Sequence, residues 1–332
     1  MEQKTNNKQI PWVTLAKFLG LYLMVLGHMN LVCPEWGAFI FTFHMPLFFV
    51  LSGMLHKDTD NKKQLFKNLF RKLIVPFLLI AMIWCLIYMV LWIKNGIVNP
   101  SHWLSYILGT IISPGKPLCQ LHSLKEPLWF LLALTWIKVM ASYLRKPWIM
   151  IVVSVVCPIV ILVFSHFRIV LPLAIDSALF AFPFYTAGLF IKKYLLKDFS
   201  VIINIVVALL FLVFTFFIYR NNGIVDTNHC LYGNNIVLYY LGGFVGTIFL
   251  IHLSKVIASF VPIGMVFSTI VSGAMLVIGF SNNLSSIIRS FLPFLGGSNV
   301  GGMVIGLLTL AVIFPMILIA KKYFPAIIGF RK

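Results

Sequence analysis

Residues 12–31 read WVTLAKFLGLYLMVLGHMNL, and residues 39–55 read FIFTFHMPLFFVLSGML. Each stretch is long enough to cross a hydrocarbon layer, which takes about 20 apolar residues. Each also carries groups that hydrocarbon disfavours: Lys17 and His28 in the first, His44 in the second. The rest of the chain repeats the pattern. Of 332 residues, 61% are hydrophobic and 10% charged, against about 25% charged in a soluble domain. A soluble surface needs polar cover that this composition does not supply; a lipid-facing surface does not need it.

Apolar runs at 12–32, 37–55, 73–93, 128–143, 148–165, 169–191, 200–219, 235–253, 259–281 and 300–320 predict an all-α, polytopic transmembrane bundle of about ten spans. The whole of 1–332 reads as one integral membrane domain. Residues 103–112 are apolar but about half the required length. With that segment not crossing and both termini cytoplasmic, eighteen Lys and Arg fall on the cytoplasmic side and six on the other. If it crossed, Lys192, Lys193 and Lys197 would move outward and the bias would weaken, so the positive-inside rule favours ten crossings. The net charge of +18 is therefore read as loop charge facing an anionic membrane surface, not as a nucleic-acid footprint. Cys33, Cys85, Cys119, Cys157 and Cys230 form no CxxC pair or zinc spacing, so no metal is expected; Cys85 and Cys157 lie in apolar runs as core packing.

Ionisable groups inside spans raise a functional question by default. Lys17 and His28 are eleven residues apart, about three turns plus 20°, so they share one helix face about 16 Å apart, with Leu21, Met24 and Val25 along it. The bland alternatives are a snorkelling lysine and an interfacial histidine. Pro46, two residues after His44, predicts a broken helix, tolerated in a membrane where it lines a cavity. With the two spans antiparallel, His28 and His44 reach similar depth, a pairing suited to proton transfer. In 65–77, LFKNLFRKLIVPF, Lys67, Arg71 and Lys72 stand at the cytoplasmic mouth, as anchors or as phosphate ligands. Glu126 in KEPLWFLLALTW (125–136), Asp176 in LPLAIDSALFAFPFYTAGLFIKK (171–193), and His229 and Asn234 in YRNNGIVDTNHCLYGNN (219–235) are candidate acceptor contacts or solvated loop groups.

Six segments taken together, 12–28, FHMPLFFVLSG (43–53), FRKLIVPF (70–77), EPLWFLLALTW (126–136), AIDSALFAFPFYTAG (174–188) with its KK, and LYGNNIVLYYLGGFVGT (231–247), resemble the membrane acyltransferase-3 family. The nearest branch is the fucose 4-O-acetylase-like, or capsular polysaccharide O-acetyltransferase, group. The resemblance runs in order from about residue 10 to 255. It implies about ten helices, an acyl-CoA donor (usually acetyl-CoA) on the cytoplasmic side, and a glycan or lipid-linked saccharide acceptor on the other. It places Lys17 and His28 at the family's basic-residue-to-histidine spacing, and Arg71 and Lys72 at its Arg-rich third span. Two positions depart from the pattern: Thr14 stands where an Asp is common, and 272–288, SGAMLVIGFSNNLSSII, lacks a late-span His.

The expected activity is O-acyl transfer in a bacterial cytoplasmic membrane. Lys17, Arg71, Lys72 and Lys67 would hold the donor's phosphates, His28 and His44 would serve the chemistry, and Glu126, Asp176, His229 and Asn234 would serve the acceptor. A saccharide exporter without catalysis, or a regulatory membrane subunit, are the alternatives. A homo-oligomer is compatible with all three.

Overall fold

A computed structural model describes residues 10–29, 33–57, 59–116, 121–124 and 126–329. Cys119, Lys125, Lys4 and Lys8 of the amino-terminal charge, and Arg331 and Lys332 at the other end lie outside the described residues. Among those described the chain is helical: α1 (Pro11–His28), α2 (Pro34–Phe41), α3 (His44–Met54), α4 (Lys62–Leu69), α5 (Val75–Lys94), α6 (Pro100–Ile112), α7 (Trp129–Tyr143), α8 (Pro147–His166), α9 (Ile175–Phe190), the single turn α10 (Lys192–Leu195), α11 (Val201–Asn222), α12 (Ile236–Phe260), α13 (Met265–Ser272), α14 (Ala274–Phe291) and α15 (Asn299–Tyr323).

The starts are written in the sequence. Pro opens α1, α2, α6 and α8, where its missing N–H has no partner to lose and its fixed φ suits a helix. Asn61, Asn99, Ser200, Asn235 and Ser298 cap α4, α6, α11, α12 and α15 by accepting first-turn N–H groups. A π-helical turn, Phe70–Ile74, joins α4 to α5 in one helical stretch and carries Arg71 and Lys72.

Among the described residues, seven helical stretches are long and apolar enough to cross a membrane, or eight if the bent pair α13–α14 is one span. α8 and α11 expose mainly Ile, Val, Leu and Phe, surface that suits lipid. Three expected spans take a different form. The 37–55 stretch is two helices: Pro46 has no N–H to donate and its ring crowds the carbonyl of residue 42, so the helix breaks at Thr42–Phe43. The 259–281 stretch is not one rod. α12 runs on to Phe260, and α13 and α14 meet at 85° around Gly273, where a Cβ would collide with Ile317 of α15. The 169–191 stretch becomes regular helix only from Ile175, because Leu173 and Ala174 turn the backbone at φ of 57° and 56°. α6, at thirteen residues, rises about 20 Å, short of the roughly 30 Å hydrocarbon core.

α1, α3, α9 and α12 form the centre. α3 and α9 approach backbone to backbone through Gly53 and Gly188, where a Cβ would strike the carbonyls of Tyr185 and Val50. That small-residue contact replaces the hydrophobic drive absent between helices in lipid. It sets α3 at the middle of the bundle, with His44 at one of its ends.

Candidate active site

The broken helix holds His44 in one chemical state. Its Nδ1 lies 3.0 Å from the carbonyl oxygen of Ile40. A carbonyl only accepts, so Nδ1 carries a hydrogen, and in the neutral ring Nε2 then keeps its lone pair. Nε2 is buried and has no hydrogen-bond partner among the described residues. His28, the last residue of α1, brings its ring to 6.4 Å from that of His44, nearly perpendicular, with Phe41 against both.

These two imidazoles line a cavity of about 360 Å³. Its second wall comes from the segment that leads into α7: Glu126, Pro127 and Trp129. Oε1 of Glu126 receives the backbone N–H of Asn283 at 3.1 Å and its side-chain amide at 2.7 Å. Oε2 is buried with no partner. The third wall is the loop between α11 and α12. Asn222 clamps that loop by donating to the Tyr232 carbonyl and receiving the Asn235 N–H. At its tip Asp226 receives the N–H groups of Asn228 and His229, at 2.8 and 3.3 Å, and pairs with His229 Nδ1 at 2.8 Å. Burial works against the Asp226 charge, yet the hydrogen bond and charge of His229 hold its carboxyl below the usual range. The same hydrogen bond, and then the carboxylate charge, lift the His229 imidazole above its own, against its partial burial.

Toward the other end of α1 a second cavity, about 290 Å³, shares Met45 and Pro127 with the first. Lys17, Leu21 and Met24 line it from α1, so the face deduced from helical spacing does face a cavity. Lys138 of α7 faces Lys17 across it, and no carboxylate lines it. The Lys138 ammonium stands 5.9 Å from the Tyr185 ring centre. A third cavity of about 450 Å³ shares Leu55 and Lys138 and opens among Lys57, Asp60 and Arg145. Three cavities thus lie in series from Arg145 to His44.

The remaining candidates are placed elsewhere. Arg71 and Lys72 are exposed and line a separate groove against Tyr323 and Phe324, although Lys72 is within electrostatic reach of Lys138. Lys67 is exposed on α4 and lines none of these cavities. Asp176 is buried in an ion pair with Lys116 at 2.7 Å. Ser177 beside it receives a hydrogen bond from Lys116 and donates to the Asn228 carbonyl. Asp176 therefore braces the loop that carries Asp226, and its own carboxylate is taken up. Asn234 is exposed and donates to the Asn221 carbonyl at 3.0 Å, closing the neck of the same loop. Lys138, Lys116, Asn283 and Asp226 have site roles that sequence spacing did not assign. Of these, Asp226 was already visible in the sequence as a polar group of the outer 219–235 loop, and Lys138 only as a lysine near the end of a span. No cluster of three or more His, Cys, Asp or Glu suited to a metal ion occurs among the described residues, where Cys85 and Cys157 are buried and unpaired.

The apolar helical bundle thus encloses an oriented imidazole, two carboxylates and a run of cavities. The family model described as an acyltransferase domain, acyltransferase-3, matches residues 10–321, and the chain belongs to that family as a membrane acyltransferase. No curated protein and no solved structure matches the chain.

Proposed function

We propose that the protein carries an acyl group, acetyl in the simplest case, from acyl-CoA to a sugar hydroxyl of an extracytoplasmic glycan or lipid-linked saccharide. The acceptor class follows the fucose 4-O-acetylase-like branch that the sequence resembles. In this scheme the protein makes ten crossings of a bacterial cytoplasmic membrane with both termini inside, so the lysine end faces the cytoplasm and the histidine end faces out. One observation carries the proposal: the unpartnered Nε2 of His44 sits at one end of a cavity series whose middle cavity holds Lys17 and Lys138 with no carboxylate in its wall.

CoA has a polyanionic head and a long thin arm. Lys17 and Lys138 take the phosphates, while Lys67, Arg71 and Lys72, exposed on the neighbouring helix, draw the polyanion to the mouth. The arm runs past Leu21 and Met24 and delivers the thioester carbonyl beside His44. The acceptor hydroxyl gives its proton to Nε2 as its oxygen bonds to the carbonyl carbon. The C–S bond then breaks, and the sulfur takes that proton back from Nε2 to leave as the free thiol, which restores the neutral His44. The ester oxygen stays with the sugar. His28 packs behind the acceptor, and Glu126 and His229 contact it. Asp176 and Asn234 act one layer back, through the loop they brace.

The test is transfer of labelled acetyl from acetyl-CoA by purified protein, with and without glycan acceptors. His44→Ala is expected to bind CoA and transfer nothing. Wild-type turnover in folded His44→Ala protein would overturn the mechanism.

A further inference from the structure

Among the described residues, two side chains that line the 360 Å³ cavity each have a buried polar atom without a partner, His44 Nε2 and Glu126 Oε2. The transfer step uses the first. The second has no role in moving the proton or breaking the thioester, yet its carboxyl is held in a defined orientation. Asn283, 157 positions away on α14, gives both its backbone N–H and its amide to Oε1, which fixes the carboxyl plane and leaves Oε2 without a partner among the described residues. A buried oxygen held this way without a partner is unfavourable until a ligand fills it.

We propose that Glu126 anchors a second hydroxyl of the acceptor while His44 takes the proton of the first, so the site selects polyols over simple alcohols. The inference rests on the transferase reading above. A hydroxyl suits Oε2 in either state, donating to a carboxylate or accepting from a carboxylic acid. Trp129 in the same wall offers a flat apolar face to the C–H side of a sugar ring. The cavity is at the small end of the roughly 300–1,000 Å³ typical of ligand sites, which suits one sugar residue and so the terminal unit of a longer acceptor. Asn283 is then a positioning residue that acts through Glu126.

The experiment uses purified full-length protein, acetyl-CoA and three probes: cyclohexanol, trans-cyclohexane-1,2-diol and methyl galactoside. Wild type is expected to acetylate the diol and the glycoside with kcat/KM about 10- to 100-fold above cyclohexanol, the scale of one buried hydrogen bond. Glu126→Ala is expected to erase that preference, mainly through a raised KM for the diol and the glycoside. Asn283→Ala should erase part of it, which keeps the test decisive if Glu126→Ala does not fold. Retained preference in the folded variants would overturn the inference, as would an equal loss with all three probes. Absence of transfer by wild type to any probe or glycan would instead remove the transferase reading, and this inference with it.

Discussion

The two ends of the cavity series are built on opposite plans. In the lysine cavity, two ammonium groups stand among Leu, Met and Phe with no carboxylate in that cavity's wall, although Lys138 also borders the next cavity, where Asp60 stands. At the histidine end, three side chains are oriented by protein groups: His44 donates to the Ile40 carbonyl, and Glu126 and Asp226 accept from Asn283 and His229. An uncompensated charge in an apolar wall is costly and is relieved by a ligand of opposite sign. A group that must move a proton at one atom gains instead from being oriented before the substrate arrives. The difference is what the proposed transfer requires, one cavity to hold the donor and one to react.

The sharpest way to break that division is at His44. His44→Ala should lower transfer by about 10²–10⁴, the usual worth of a general base, with CoA binding and thermal unfolding close to wild type. Simultaneous loss of CoA binding would mean the two ends are not separate. The same assay on His28→Ala compares the imidazoles directly. The helix-face argument alone puts His28 first; the orphan nitrogen puts His44 first.

The next effect is on the frame of the reacting end. Lys116→Met leaves Asp176 charged, buried and without its ammonium partner, and should destabilise the fold by about 3–5 kcal/mol. Lys116→Met with Asp176→Leu should recover most of that loss, because apolar side chains of similar volume often replace a buried pair at little cost. Chemical unfolding of the three variants reads both numbers. A double variant as weak as the single one would show that the pair does more than brace the loop.

A smaller effect is expected at the holding end. Lys17→Ala and Lys138→Ala should each weaken CoA binding about tenfold at low salt, less at high salt, where screening shortens electrostatic reach. The rate at saturating donor should change little. A fall in kcat with unchanged binding would place the lysines in the reacting half.

How much of this could be read in the sequence differs with the range of the interaction. The broken second span was legible because Pro46 acts on a carbonyl four residues away. The cavity-lining face of α1 was legible because Lys17, Leu21, Met24 and His28 are linked by helical periodicity alone. Lys138 was hidden by its resemblance to an ordinary cytoplasmic anchor. The Lys116–Asp176 pair joins positions 60 apart and the Asn283–Glu126 clamp joins positions 157 apart, so tertiary packing alone decides them. The bend at Gly273 was missed for the same reason: what stands against the glycine is Ile317.

The smallest expected effect concerns the loop tip, and it separates the two ends by pH. His229 is lifted above its usual 6.5 by the bond to Asp226, and Asp226 is held below its usual 3.8, where the bond and charge of His229 outweigh burial. The imidazolium's contribution to the pair is complete below pH 6.5 and fades as pH rises through the lifted value. The carboxylate's contribution is complete above pH 3.8 and fades as pH falls through the lowered one. Protection of the 226–231 backbone amides from hydrogen exchange, corrected for intrinsic rates, should therefore be greatest between these two pH values and decline on either side. The change should be only a few-fold, because the His229 side chain is 41% exposed and solvent screens the pair. Lys116 nearby acts in the opposite sense on His229, so Lys116→Met should move the upper limb to higher pH. His229→Gln should remove that limb, since no proton is left to lose there. CoA binding at the lysine end should follow neither limb; a CoA affinity that tracked loop protection across pH 6.5 would show that the two ends communicate.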